Sequence, residues 1–272
     1  MKKSKLSRRK FIRGSLLALA GVLLGDMYWF ERYILDWSVH MLPSASKHPI
    51  RVLQISDLHM RQLSRRQRKI AEKINTQSFD LLVLTGDVID EQKGLTALEE
   101  FLALLPKSLP KVAILGNWEY WGKVNLSQLK NLYTSYGVQL LINSHTQFTL
   151  KGRRIGILGV DDLVAGSPDW TKTTQDYVRQ EVNLLLCHCP AFRDQVMAQP
   201  PNFTLHALLA GHTHGGQLNF FGWIPFKPRG SGKYLSGWYS QGGYPMYVSK
   251  GIGTSILPLR FGARAEVVEL QV

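Results

Sequence analysis

The sequence predicts an α/β protein in which two packed mixed β-sheets carry helices on their outer faces, as one domain. Three observations predict it. The first half of the body alternates short apolar runs with helix-period segments, the second half is strand-rich, and polar residues emerge repeatedly just after the apolar runs. A strand covered on both faces reads as a continuous apolar run, and open α/β sheets place ligands beyond the carboxyl ends of such strands. The 272 residues suffice for one large domain with a buried core, and a composition of 44% hydrophobic and 19% charged residues is ordinary for a folded protein.

In order along the body, Arg51–Ile55 is a short apolar strand that runs into Asp57, and Gln62–Asn75 reads as a helix. Leu81–Leu84 is a second buried strand, ending at Gly86-Asp87. Leu95–Leu105 is helical, with Pro106 as its stop. Val112–Leu115 runs into Gly116-Asn117, Leu126–Tyr136 is a helix ended by Gly137, and Gln139–Ile142 returns as a strand. Gln147–Leu150 and Arg154–Val160 form a hairpin across Lys151-Gly152. Val182–Cys187 leads to His188 and Leu205–Ala210 leads to Gly211-His212. Tyr247-Val248 and Ala265–Leu270 close the sheets.

The region before the body differs. Of the net charge of +13, seven units come from Lys2, Lys3, Lys5, Arg8, Arg9, Lys10 and Arg13, which leaves six for the rest. The basic character is thus concentrated in a targeting feature, which argues against nucleic acid as the main partner. The remaining excess suits an anionic substrate or membrane surface. Ser7-Arg8-Arg9-Lys10-Phe11-Ile12 resembles a twin-arginine export signal, and the eleven-residue apolar stretch from Ser15 to Gly25 follows at once. A bilayer span needs about 20 residues, so this stretch suits a signal better than a span, although an uncleaved anchor stays open. Ala18-Leu19-Ala20 offers small residues for cleavage. Residues 1–25 are therefore read as signal or anchor, bringing the export machinery in as a partner and an extracytoplasmic or membrane-anchored location. Residues 26–49 read as an aromatic-rich interfacial segment or linker, with Tyr28, Trp29, Phe30, Tyr33, Ile34 and Trp37 either at a membrane interface or packed on the domain. Residues 50–272 form the body. The two cysteines, Cys187 and Cys189, are too close for an unstrained disulfide and read as small buried residues.

Five motifs carry the chemistry: Asp57-Leu58-His59, Gly86-Asp87-Val88-Ile89-Asp90, Gly116-Asn117-Trp118-Glu119, His188, and Gly211-His212-Thr213-His214. Asp57 and His59, one residue apart, can face the same way at a strand end, and His212 and His214 repeat the spacing. Metals that activate water on phosphoesters favour oxygen and imidazole ligands. A carboxylate such as Asp87 can give one oxygen to each of two cations, and Asn117 adds a neutral oxygen. Taken singly, Asp57 can be a helix cap, Gly-Asp a turn and His188 a hydrogen-bonded core residue. In this order, after these strands, they predict a two-metal site at the carboxyl ends of the strands.

The set resembles the calcineurin-like metallophosphoesterase superfamily over about residues 51–272. Gly211 through Gln217, Tyr247 through Thr254 and Arg260-Phe261 are similar to a branch of exported or membrane-associated bacterial phosphodiesterases related to UDP-2,3-diacylglucosamine hydrolases of lipid A synthesis. The resemblance implies two divalent ions, Mn, Fe or Zn. Asp57, His59, Asp87 and His214 would bind one, and Asp87, Asn117, His188 and His212 the other. Asp90 and Glu119 would orient ligands from behind. It further implies that a hydroxide shared between the ions attacks phosphorus in line. The expected activity is hydrolysis of a phosphodiester or pyrophosphate bond in a small anionic substrate, lipid-linked or of the UDP-sugar type. A broad phosphomonoesterase and a catalytically weak metal-binding envelope protein are the alternatives.

One departure matters. The family's Gly-Asn-His-Asp/Glu reads Gly116-Asn117-Trp118-Glu119 here, and an indole N–H cannot replace the histidine that assists the leaving group. Leaving groups that need no proton are then favoured, or Glu119 or a bound water takes the role. Trp118, Tyr120 and Trp121 form either a stacking platform or loop packing, and Phe220, Phe221 and Trp223 meet a lipid chain or fill core. Arg61, Arg65, Arg66, Arg68 and Lys69 steer anions or form a solvated helix face.

Overall fold

Twelve strands make two six-stranded sheets in the computed structural model, which describes residues 7–43 and 47–272. Lys2, Lys3 and Lys5 of the basic tail and the middle of the predicted linker lie outside the described residues. The strands are β1 (Asp36–Met41), β2 (Arg51–Ile55), β3 (Leu81–Thr85), β4 (Lys111–Ile114), β5 (Val138–Leu140) and β6 (Ser144–Leu150). They continue with β7 (Arg153–Gly159), β8 (Val182–Leu186), β9 (Ala207–Ala210), β10 (Gly237–Tyr239), β11 (Met246–Val248) and β12 (Glu266–Gln271). One sheet has the order β1-β12-β2-β3-β4-β5 and the other β10-β11-β9-β8-β7-β6. Strands β2 to β5 are mutually parallel, and so are β7, β8, β9 and β11, so each sheet presents its strand carboxyl ends along one edge.

Alternation along each strand divides the core. Val52, Leu81, Val83 and Val112 point to the other sheet, where Ile157, Leu184 and Leu186 meet them. Leu53, Leu82 and Leu84 point outward, under the helices Arg65–Thr76, Gly94–Ala103 and Leu126–Ser135. On the far side Leu185, Leu208 and Val248 lie under Phe192 and Val196 of the short helix Phe192–Ala198. Both faces of the central strands are thus covered, which is why they are apolar throughout. The two-sheet α/β fold predicted from the sequence is the one observed.

Boundaries shift for local reasons. The helix expected from Gln62 starts at Arg65, because Ser64 caps it: the Ser64 hydroxyl accepts from Gln67 N–H, and the Gln67 side chain accepts from Ser64 N–H at 2.9 Å. The hairpin falls on β6 and β7 across Lys151-Gly152, as expected. Two strands were not foreseen. β10 is only three residues long, and β1 lies inside the stretch read as linker, pairing in parallel with β12 over all six of its residues. Its partner is at the opposite end of the chain, so no local pattern announces it.

The chain enters through a helix at Arg8–Gly25, capped by Ser7, and a π-helical turn at Asp26–Phe30. Together they form a 23-residue helical segment, long and, over an 18-residue window, apolar enough to cross a membrane at about 1.5 Å per residue. The helix is longer than the eleven-residue apolar stretch suggested, because it takes in Arg8–Gly14 as well. None of its residues is buried.

Candidate metal centre

The five motifs meet where the two sheets' carboxyl edges face each other. Asp57 and His59 follow β2, Asp87 follows β3, Asn117 opens the short helix Asn117–Trp121 after β4, His188 follows β8, and His212 and His214 follow β9. All seven side chains are buried. Asp57, His59, Asp87, His212 and His214 have φ between 48° and 72°, a left-handed conformation that non-glycine residues rarely adopt. Holding five residues there costs stability, which the surrounding hydrogen bonds must offset. Gly86 is required by close approach as well as by its φ of +86°, since a Cβ there would sit 2.6 Å from His188 Nδ1. A Cβ on Gly116 would likewise strike the Asp87 carboxylate.

The donor atoms form two groups. One oxygen or nitrogen each from Asp57, His59 and His214 lie within 4.8 Å of one another, and so do those of Asp87, His188 and His212. Asp87 joins the groups: its Oδ2 is 3.1 Å from His188 Nε2 and 3.8 Å from His59 Nε2. Asn117 Oδ1 is 2.9 Å from His212 Nδ1.

The ring orientations are fixed from behind. His59 Nδ1–H donates to Asp90 at 2.6 Å, His188 Nδ1–H to the Thr85 carbonyl at 2.8 Å, and His212 Nε2–H to the Arg229 carbonyl at 2.7 Å. Each bond leaves the other nitrogen's lone pair aimed at the centre. Asp90 is itself held by Arg61 at 2.9 Å. The Asp57 carboxylate accepts from Ser56 Oγ–H and His212 N–H. Glu119 belongs to neither donor group. Its carboxylate accepts from the N–H groups of Asp87, Val88, Ile89 and Gly116, at 2.7–3.3 Å, tying the loops after β3 and β4 together. With both oxygens engaged as acceptors, it is poorly placed to donate a proton to a leaving group.

The donor set fits cations. His188 Nε2 and His212 Nδ1, whose far nitrogens both donate to carbonyls, face each other at 3.3 Å, which sets lone pairs against each other unless something positive lies between, and His59 Nε2 lies 3.0 Å from His214 Nε2. Buried carboxylates ask for the same. Burial alone would raise the Asp87 pKa, but His188 and then His59 bring it down to about 2. Burial disfavours the charged form of His188, yet the adjacent Asp87 holds its pKa well above the ordinary value. Burial, followed by His59 and Arg260, pushes His214 well below it. Burial and then Asp87 push Glu119 up to about 7. Two cations would supply this positive charge and leave the imidazoles neutral, as ligands must be.

Three supporting groups were not foreseen. Arg260, fully buried, donates to the carbonyls of Lys250, Gly251, Gly253 and Ala263 and lies 3.2 Å from His214 Nδ1. Its only sequence signal was the Arg260-Phe261 pair. The Thr85 and Arg229 carbonyls left none, because backbone atoms are alike in every residue. Cys187 and Cys189 are buried and unpaired, and the Cys189 thiol donates to Asp162 at 3.2 Å.

Trp118 stands edge-on to the His59 ring at 5.7 Å, and its backbone N–H donates to Asp87 at 2.9 Å. Trp121 packs edge-on against it, and the Tyr120 hydroxyl donates to Asp161 at 2.6 Å, outside the donor cluster. Asp87, Asn117, His212 and His214 line a cleft of about 470 Å³, whose apolar wall is formed by Trp121, Leu218, Phe226, Ile256 and Leu257.

Residues 50–216 match the calcineurin-like phosphoesterase family. The uncharacterized metallophosphoesterase YkuE of Bacillus subtilis is 31% identical over 97% of this chain and 96% of its own. Phosphodiesterase YaeI of Escherichia coli is 27% identical over 98% of this chain and 99% of its own. Among solved structures, a 5'-nucleotidase precursor from Thermus thermophilus shares 13% identity and a TM-score of 0.49, over 82% of this chain and 54% of its own. Since the matched span takes in every one of the five motifs, the chain belongs to the calcineurin-like phosphoesterase family and is a metal-dependent phosphoester hydrolase.

Proposed function

We propose that the chain cleaves a phosphodiester or pyrophosphate bond of a lipid-linked or nucleotide-linked substrate, UDP-2,3-diacylglucosamine being the type, outside the cytoplasmic membrane. The observation that carries this reading is the cleft itself, in which two nitrogen–oxygen donor groups joined at Asp87 lie beneath an apolar wall. Asp57, His59, Asp87 and His214 hold one cation and Asp87, Asn117, His188 and His212 the other, Mn, Fe or Zn being compatible with such donors. Bound there, the cations supply an activated water and charge stabilisation for the phosphoryl oxygens. The protein's own part is positional. Asp90 and the Thr85 and Arg229 carbonyls aim the rings, Glu119 pins the two loops, and Trp118 covers His59 where the family carries a histidine. With no imidazole at 118, the site suits leaving groups of low pKa, such as a phosphate released from a pyrophosphate. The apolar wall suits an acyl chain or a stacked base.

Residues 1–25 serve as a twin-arginine-type signal or anchor and residues 26–49 as the interfacial connector that also supplies β1. Residues 50–272 form the hydrolase. The 23-residue helical segment supports membrane attachment.

The test is hydrolysis of bis-(p-nitrophenyl) phosphate by the full chain in detergent, stripped of metal and given back Mn or Zn, with Asp87→Asn as control. The expected result is metal-dependent turnover that falls at least about 10²-fold in the variant. Turnover that survives chelation, or that Asp87→Asn leaves intact, refutes the assignment. Preference for p-nitrophenyl phosphate over the diester would favour the phosphomonoesterase alternative.

A further inference from the structure

The apolar wall of the cleft continues onto the surface. Phe221 is 99% exposed, Ile256 80%, Trp223 66% and Phe226 65%, and Leu257 and Trp121 are also exposed. Large apolar side chains scattered singly need no explanation, but Trp121, Phe226, Ile256 and Leu257 line one cleft, and Phe221 and Trp223 precede Phe226 in the same loop. They are also tied together. Phe220 and Phe221 pack on Phe261, and the Gln217 side chain donates to the carbonyls of Ser255 and Leu257.

This collar adjoins the end of the N-terminal helix. Arg260 N–H donates to the Met27 carbonyl at 3.0 Å, and Arg264 pairs with Glu31 at 3.9 Å while lying over the Phe30 ring. The end of a membrane helix marks the level of the bilayer surface, so whatever touches it lies at that level. Beside it, Trp29 and Tyr33 share a groove with Arg65, Arg66 and Lys69. Aromatic rings with basic heads are the side chains that settle at a phospholipid headgroup layer.

We propose that the collar is a second membrane contact: Phe221, Trp223, Phe226 and Ile256 enter the bilayer interface and turn the mouth of the metal cleft toward the lipid headgroups. The active site then draws its phosphoester from the plane of the membrane, and a soluble nucleotide has the longer route in. This deepens the proposed function and rests on its membrane attachment through the N-terminal helix. The occupant is a bilayer, because Arg260, next to the Phe261 on which Phe221 packs, holds the end of the one described helix long and apolar enough to cross it.

The test needs no turnover. Cys187 and Cys189 are buried, so a polarity-sensitive thiol dye reports an introduced cysteine. Phe221→Cys, Ile256→Cys and, as control, Val178→Cys are labelled in the full chain. Val178 is 69% exposed and precedes β8, at the opposite end of that strand from His188. The labelled proteins are mixed with vesicles of phosphatidylglycerol and phosphatidylethanolamine carrying a lipid-borne quencher. The expected result is a blue shift and quenching at 221 and 256 on bound protein, and neither at 178. Since Phe221 makes few contacts, that variant remains informative even if Ile256→Cys folds poorly. If the protein binds vesicles while 221 and 256 stay as wet as 178, the collar proposal fails and the helix anchor stands. A chain that stays off the vesicles overturns both. Shielding that follows protein concentration without lipid would assign the face to a second copy, which also overturns the proposal. Because hydrolysis is not read, an inactive metal centre would leave every one of these outcomes unchanged.

Discussion

Trp118 is the residue that most distinguishes this centre. Its ring covers His59 and its backbone holds Asp87, so it is built into the site while being unable to donate a proton as an imidazolium would. General acid help is worth about 10²–10⁴-fold for a poor leaving group and little for a good one. Trp118→His should therefore raise kcat for alkyl diesters about tenfold or more and change p-nitrophenyl esters little, read as the slope of rate against leaving-group pKa. Glu119 makes a different case. Four backbone N–H groups converge on one buried carboxylate, and Glu119→Gln would set an amide N–H against some of them. The expected loss is about 3 kcal/mol of unfolding free energy, measured by urea denaturation. The motif residues were legible in the sequence because each follows an apolar strand at a spacing that metal ligation explains. Arg260 was not legible as a support of His214, because the two lie far apart in the chain and only the fold joins them.

At the scale of the elements, β1 and β12 are the instructive pair. β1 adds an edge to the first sheet, so a chain beginning at Lys47 leaves β12 with an unpaired edge. Such a chain should unfold about 2 kcal/mol more easily than one beginning at Leu35, or associate, as checked by thermal melting and light scattering. Across the other side of β12, Glu269 pairs with Arg51 of β2 through two bonds of 2.8 Å. The Arg51 hydrogen bond, outweighing burial, lowers the Glu269 pKa from its ordinary 4.5. A carboxylate with a depressed folded-state pKa adds stability that is fully present above its unfolded pKa and lost as pH falls through the folded value. Glu269→Gln should thus lower stability near neutral pH and flatten its decline below pH 4.5, as followed by denaturation across that range. Strands β2, β3, β4, β8 and β9 were readable as apolar runs because both of their faces are covered. β1, whose burial is only partial, carries no such signature.

For the whole molecule, the candidate metal centre bridges the two sheets, with Asp57, Asp87 and Asn117 following strands of one and His188, His212 and His214 those of the other. Cations bound there would favour the folded state over the unfolded one. At a free metal concentration a hundredfold above Kd the gain is about 2.7 kcal/mol, so chelation should lower Tm and Mn or Zn restore it, with the response lost in His188→Ala. By itself the chain's order of apolar runs determined the two-sheet α/β class, and its motifs placed ligand-type residues at strand ends, because periodicity and side-chain chemistry are local properties. Which donors meet at Asp87, that Glu119 is committed to backbone N–H groups, that β1 completes a sheet and that an exposed apolar collar adjoins the N-terminal helix were decided only by tertiary structure. Each depends on contacts between segments distant in sequence, and no local pattern encodes the distance between them.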